Sequence, residues 1–277
     1  MMNKHLRTIL YRMMIGVMAV IFISPFYICL LYAFTPMREI VPGNLVPPSH
    51  LYLDNFRSVI FDNPMFRTGL LNSIITTVPT VVLVIIICSM ASYVLARNDK
   101  KKTYSLLYYV FIIGLFLPFQ CLLLPLYKNM RAVGLMNNLW GFILAKTGFD
   151  ISYTILVMTS FVKTVPRDMD DAARIDGGNK LVTFWMVIFP LMKPVVVTVA
   201  VLNAVFVWND FSISLILLQK TPVRILTLAQ FYYFGENTVA LNLAFAFFTL
   251  SMLPMLIIYL VTQKYIVRGV MAGAVKG

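Results

Sequence analysis

Four stretches of this 277-residue chain run for more than 20 residues without a charged side chain: Met13 to Phe34 (22 residues), Leu70 to Ala96 (27), Thr103 to Tyr127 (25) and Val239 to Gln263 (25). At about 1.5 Å per residue, roughly 20 helical residues cross the ~30 Å hydrocarbon core of a bilayer, and a segment in lipid must satisfy its own backbone. Each run therefore predicts a membrane-spanning helix. A membrane β-barrel would show segments of roughly 10 alternating residues instead. Composition points the same way: 60% of the residues are hydrophobic and 12% charged, against roughly 45–50% and 25% in a soluble domain. So few charges cannot coat a globule of this size.

Two further spans carry charges. Ile151 to Val162 is free of charge for 12 residues. Adding Phe149 and Asp150 before it and Lys163 to Val165 after it makes a short fourth helix of 17 residues. Trp140 to Ala145 reads as a re-entrant or interfacial piece, separated from that helix by Lys146-Thr147-Gly148. Val195 to Gln219 holds one charge, Asp210, in 25 residues and predicts the fifth helix. The expectation is an all-α integral membrane protein with six spans in one domain, residues 1–277, without an internal repeat. The first run, at 22 residues and with no small-x-small site after it, is too long for a signal peptide core of about 7–15 residues. Of the 23 lysines and arginines, 15 fall in the N-terminus, the links 97–102 and 163–193, and the tail, against 8 in the intervening loops 35–69, 128–148 and 220–238. That bias puts both termini in the cytoplasm. It also accounts for the net charge of +12 without nucleic acid, since no stripe of arginines interleaved with aromatics is present. Cys29, Cys88 and Cys121 lie inside apolar runs without metal-ligand spacing and read as small buried hydrophobes.

No constellation for catalysis is visible: the two histidines are His5 in the N-terminal tail and His50 in a loop. Gly177-Gly178-Asn179-Lys180 lacks the G-x-x-x-x-G-K-[ST] spacing that wraps a phosphate, so the chain is not its own ATPase. Polar residues inside the spans are costly unless water or substrate satisfies them. Asn203 and Asp210, with Asn209 adjacent, are seven apart on the predicted fifth helix, and Asn242 and Thr249 are seven apart on the sixth. Residues at that interval share a face, which here would line a hydrophilic path. The other reading of Asn209 and Asp210 is a helix end at the outer headgroups beside Trp208. Asn72, Ser73 and Gln120 suit interhelical hydrogen bonds. Pro25, Pro79, Pro118, Pro125 and Pro254 interrupt five helical segments.

The long link carries the most information. It contains Pro166-Arg167-Asp168-Met169-Asp170-Asp171-Ala172-Ala173-Arg174-Ile175-Asp176-Gly177-Gly178. Pro166 suits the first position of a helix, and Asp168, Asp170 and Asp171 fall where the helix dipole favours acids. Gly177 or Gly178 can end that helix in the left-handed conformation, and Asn179 can cap a second one running through Phe184, Ile188 and Leu191 to Pro194. Composition alone leaves an ordinary polar connection equally open.

Asp171-Ala172-Ala173, Gly177 four residues after the second alanine, and then Ile188, Pro190-Leu191 and Pro194 resemble the E-A-A-x-x-x-G…I-x-L-P loop of bacterial ABC importer permeases. Further matches resemble the carbohydrate branch of that family, the maltose-type second permeases. They are Val46-Pro47-Pro48 before Leu53-Asp54-Asn55-Phe56, Asn72-Ser73, Trp208-Asn209-Asp210-Phe211, and the tail Gly269-Val270-Met271-Ala272-Gly273-Ala274-Val275-Lys276-Gly277. Asp171 stands where the pattern usually has Glu, so the carboxylate reaches about one methylene less far. The resemblance implies a permease subunit of an ATP-driven carbohydrate importer in the bacterial cell membrane. It would pair as a heterodimer with a second homologous permease, on two cytoplasmic ATPase subunits, and receive sugar from an extracytoplasmic binding protein. ATP and Mg would be held by the ATPase subunits, so this chain would bind no cofactor. Asp171, Ala172, Ala173, Asp176 and Gly177 would form a coupling helix in a cleft of the ATPase, the alanines being small enough for close approach. The competing class, a transporter driven by an ion gradient, would want intramembrane acids paired across inverted repeats; Asp210 is the one clear acid and no repeat is visible.

Overall fold

The computed structural model describes residues 4–41, 43–236 and 240–274, and these are helical with connecting turns and loops. In chain order the helices are α1 (Lys4–Ala33), α2 (Asp54–Arg57), α3 (Pro64–Arg97), α4 (Lys102–Ile113), α5 (Phe119–Ala132), α6 (Leu139–Val162), α7 (Asp168–Ile175), α8 (Lys180–Thr183), α9 (Phe189–Leu191), α10 (Lys193–Trp208), α11 (Ser212–Leu217), α12 (Leu226–Glu236) and α13 (Leu241–Ala274). Thr238 and Val239, at the expected start of the sixth run, and Val275-Lys276-Gly277 of the glycine-rich tail lie outside the described residues.

Four apolar segments are single helices long enough to span: Arg7–Ala33, Pro64–Arg97, Leu139–Val162 and Leu241–Gln263. The other two are bent pairs, Lys102–Phe116 with Phe119–Ala132 at 104°, and Lys180–Leu191 with Lys193–Trp208 at 76°. The uncharged run Thr103 to Tyr127 is thus not one straight helix. Leu117 is driven to extended backbone (ψ 118°) by the proline after it, and Pro118 (ψ 127°) has no amide to carry the ladder across. Pro25, Pro79, Pro125 and Pro254 stay inside α1, α3, α5 and α13, so of the five expected interruptions only Pro118 is a full break. In the second bent pair, Pro190 and Pro194 remove two amides one helical turn apart, on either side of Met192.

The expected break at Lys146-Thr147-Gly148 is absent. Trp140 to Ala145 and the short fourth span form one 24-residue helix, α6. Its start is capped by Asn138, whose side chain accepts the Trp140 amide at 2.8 Å. Lys146 does not punctuate the chain because its Nζ pairs with Asp150 Oδ1 at 2.8 Å, one turn on, with side chains only 9% and 8% exposed. Lys146 therefore belongs to a span and not to a loop. Of the cysteines, Cys29 and Cys88 are buried while Cys121 on α5 is exposed.

The chain forms two compact units, Met1–Arg67 with Ala229–Leu253, and Thr68–Leu228 with Pro254–Gly277. In the first, Asn55 on α2 is the polar centre. Its Nδ2 donates to the carbonyls of Ala33 (2.9 Å) and Thr35 (3.0 Å), which fastens the otherwise unpaired end of α1, and its Oδ1 accepts from Asn242 Nδ2 at 2.6 Å. Phe247 meets Phe66 edge-on and stacks on Tyr233, at 5.2 and 5.1 Å between centroids.

In the second unit, Val84, Cys88, Ile155, Met158, Phe184, Ile188 and Val199 are central to a fully buried cluster in which α3, α6, the 184–188 turn and α10 meet. Asn72 Nδ2 donates to the carbonyls of Pro222 (3.0 Å) and Arg224 (2.9 Å), and Ser73 Oγ accepts the Leu226 amide at 2.8 Å. Both residues thus pin the 222–226 segment to α3, as polar residues of a span do when a neighbouring backbone needs partners. Gln120 is exposed.

Candidate functional site

The link after α6 folds into helix, turn and helix. α7 begins at Asp168, two residues beyond the proline, with Asp168, Asp170 and Asp171 in its first turn and Arg174 in its last. Its end is a Schellman turn: the Gly178 amide donates to Ala173 O at 2.8 Å and the Gly177 amide to Arg174 O at 3.0 Å. Gly177 has φ +84°, the left-handed conformation that glycine adopts without strain. A Cβ at Gly178 would lie 2.7 Å from the Ala173 carbonyl oxygen, so two different constraints hold the two glycines. Asn179 then caps α8, its Oδ1 accepting the amides of Leu181 and Val182, both at 3.0 Å. The chain continues through a wide π turn, Phe184–Ile188, into α9.

What holds this link in place was not legible beforehand. Asp170 points inward, its side chain 6% exposed, and forms an ion pair with Arg97 at 2.7 Å, whose side chain is 12% exposed. Its other oxygen accepts from Tyr93 Oη at 2.6 Å. Arg97 Nη1 also donates to Val165 O (3.0 Å) and to Val162 O (3.4 Å), which already accepts the Val165 amide, at the carbonyls where α6 ends. The last turn of α3 thereby grips the end of α6 and the first turn of α7 at once. Spacing cannot tell which of three neighbouring aspartates turns inward. The available signal was Tyr93 and Arg97, an aromatic and a cation one turn apart at the close of a span.

With Asp170 inside, the rest of α7 faces out. Asp171, Ala172, Asp176 and Gly177 are exposed, Ala173 is half-buried, and Ile175 is 86% exposed. The five residues singled out for coupling thus share one stretch, four of them on open surface. The helix is capped at its C-terminal end, while Arg167 before it makes no side-chain cap bond.

The polar residues expected along a path are placed differently. α10 stops at Trp208, so Asn203 and Asp210 do not share a continuous helical face. The ladder ends there because Asp210 engages the following segment: its Oδ1 accepts the Ser214 amide at 3.0 Å, and its carbonyl accepts from Thr227 Oγ1 at 2.6 Å. Asn209 is exposed and donates back to Val205 O at 3.0 Å. Trp208, the last residue of α10, is buried, and the helix ends beside Asn209 and Asp210. Asn203 is fully buried, its Nδ2 donating to Thr154 Oγ1 (3.0 Å) and Val199 O (2.8 Å). In the first unit Asn242 is taken up by Asn55, and Thr249 Oγ1 donates to Phe245 O at 2.9 Å and lies 3.4 Å from Cys29 Sγ. Among the described residues no group of three or more His, Cys, Asp or Glu side chains is placed to hold a metal ion.

Residues 88–272, which include the capped link and the helices that grip it, match the family described as binding-protein-dependent transport system inner membrane component. The chain belongs to that family. This permease is 31% identical over 276 residues, the whole of both chains, to the probable starch degradation products transport system permease protein AmyC of Thermoanaerobacterium thermosulfurigenes. It is 32% identical to the melibiose/raffinose/stachyose import permease protein MelC of Bacillus subtilis, over 99% of this chain and 98% of the other. The permease also shares its fold with a chain in the crystal structure of a bacterial ABC transporter involved in the import of the acidic polysaccharide alginate, with a TM-score of 0.82 at 22% identity, covering 96% of this chain and 99% of that one.

Proposed function

We propose that this permease is one membrane subunit of an ATP-driven sugar importer, with an oligosaccharide as its cargo. Relatives at 31 and 32% identity over nearly the whole chain are named for starch degradation products and for melibiose, raffinose and stachyose. It lines half of the translocation path beside a second homologous permease and receives substrate from an extracytoplasmic sugar-binding protein. Both termini are cytoplasmic, and two ATPase subunits on that side hold the ATP and Mg; this chain supplies no nucleotide site of its own.

The observation that carries the reading is the outward face of α7, whose Asp171, Ala172, Ile175, Asp176 and Gly177 stand open while Asp170 fixes the helix to α3. A short helix capped at its end and anchored by a buried ion pair transmits displacement as a solid body, which a coil of equal length would absorb. Closure of the ATPase pair against this face would tilt α7 and, through Arg97, the ends of α3 and α6. Alternating access follows when nucleotide binding and hydrolysis favour different arrangements of the spans. Asn203, Asn209, Asp210, Asn242 and Thr249 remain the candidates for the path, and exposed Asn209 is the one whose side chain is most available to a sugar.

The test is reconstitution of the whole importer in vesicles, with ATP turnover measured as sugar-loaded binding protein is added. Turnover should rise with the loaded protein, and uptake should stop when ATP is exhausted. Uptake that continued on an ion gradient alone would assign the chain to the competing class of transporter.

A further inference from the structure

A cavity of about 420 Å³ opens between the end of α3, the start of α4 and the two helices of the link. Lys101, Arg174 and Lys180 line it together with Met90, Val94 and Leu181, and none of the residues lining it is acidic. Arg97 also borders it, but its charge is engaged by Asp170. The other three cations are nearly uncompensated. Lys180 has no acidic partner among the described residues, and Lys101 Nζ sits 5.8 Å over the Tyr104 ring. Arg174 reaches only Asp171, at 3.6 Å with both side chains more than half exposed, a pairing that water largely screens.

We propose that this cavity binds the phosphate headgroup of an anionic phospholipid. Three cations around one concavity of this volume select a compact anion, and a phosphate diester matches them. The apolar part of the lining selects the lipid over a soluble phosphate. Val94 and Leu181 are exposed at the rim, and Trp185 and Met186 continue an exposed apolar strip along the link. Acyl chains can run along that strip while the headgroup sits among the cations. That the cavity faces the cytoplasmic leaflet rests on the orientation proposed above. Lys101 precedes α4, Arg174 belongs to α7 and Lys180 to α8, so a bound headgroup ties the coupling link to a neighbouring span.

The assembled importer in detergent is titrated with dioleoyl phosphatidylglycerol or dioleoyl phosphatidylcholine, and bound lipid is counted by native mass spectrometry. The wild type should hold one phosphatidylglycerol on the order of tenfold more tightly than phosphatidylcholine, and Lys101→Gln with Lys180→Gln should lose that preference. Lys100→Gln, a neighbouring cation that does not line the cavity, should keep it. Equal preference in the wild type and the double variant overturns the proposal. So does release of the phosphatidylglycerol by an equal concentration of glycerol phosphate, which would make the ligand a soluble phosphate. Lipid is weighed without substrate or ATP, so a negative result leaves the importer reading intact. An ATP turnover indifferent to loaded binding protein would defeat that reading alone.

Discussion

Asp170→Ala should uncouple ATP turnover from transport while leaving the complex assembled. The substitution removes a 2.6 Å hydrogen bond from Tyr93 and a 2.7 Å ion pair with Arg97. Breaking a buried pair by deleting one partner costs about 3–5 kcal/mol, because the survivor is left desolvated. Here the survivor keeps acceptors in Val162 O and Val165 O, which lowers the expectation to roughly 2–3 kcal/mol. Every 1.4 kcal/mol is about tenfold, so detached arrangements of α7 become on the order of 30- to 150-fold more populated. The anchor is local and the remaining helices keep their own core, so assembly survives. The assay has two parts. A double-mutant cycle of Asp170→Ala and Arg97→Met, read by thermal unfolding of the solubilised complex, should give a coupling energy of about 1.5–3 kcal/mol. Sugar-stimulated ATP turnover in vesicles should fall towards the basal rate in Asp170→Ala. The comparison is Arg167→Ala, which breaks a 3.1 Å pair with Asp99 whose side chains are 54% and 36% exposed; it should cost under about 1 kcal/mol. If Asp170→Ala takes up sugar at the normal rate and its cycle energy matches that of the exposed pair, the anchored-lever argument is refuted.

Gly177→Leu should abolish stimulated turnover at a stability cost confined to roughly 1–2 kcal/mol for the left-handed backbone, because a Cβ there meets nothing within 4 Å in this chain; any further loss belongs to the docked partner. Gly178→Ala, pressed against the Ala173 carbonyl, should instead lower the unfolding temperature, since it disturbs the turn itself. Lys146→Met should destabilise the permease by about 3–5 kcal/mol by leaving Asp150 buried without its cation, and adding Asp150→Leu should recover most of that, both measured by thermal unfolding. Asn55→Leu should loosen the end of α1, which strands two carbonyls and the Asn242 amide, and should be detected as faster proteolysis of the 34–53 segment.

Uncharged length alone identified four of the apolar segments, because the bilayer imposes its thickness on any chain that crosses it, while the other two had to be read through Asp150, Lys163 and Asp210. The capped link was equally legible: aspartates at a helix start, glycine at its end and asparagine before the next helix are local chemistry, and Gly177 and Asn179 act as their types dictate. What could not be read is whatever depends on a distant partner. Lys146 in isolation looks like a loop residue; four positions from Asp150 inside a helix it is neutralised and the span runs through it. Asn203 and Asp210 look like one face until Ser214 and Thr227 claim the aspartate and the helix ends before it. Asp170 is chemically identical to Asp168 and Asp171, and only the register of α7 against Tyr93 and Arg97 singles it out. In the proposed coupling, the face that α7 would offer an ATPase follows from local chemistry, and Asp170, the one aspartate of its first turn that is buried, would decide whether that face can carry force.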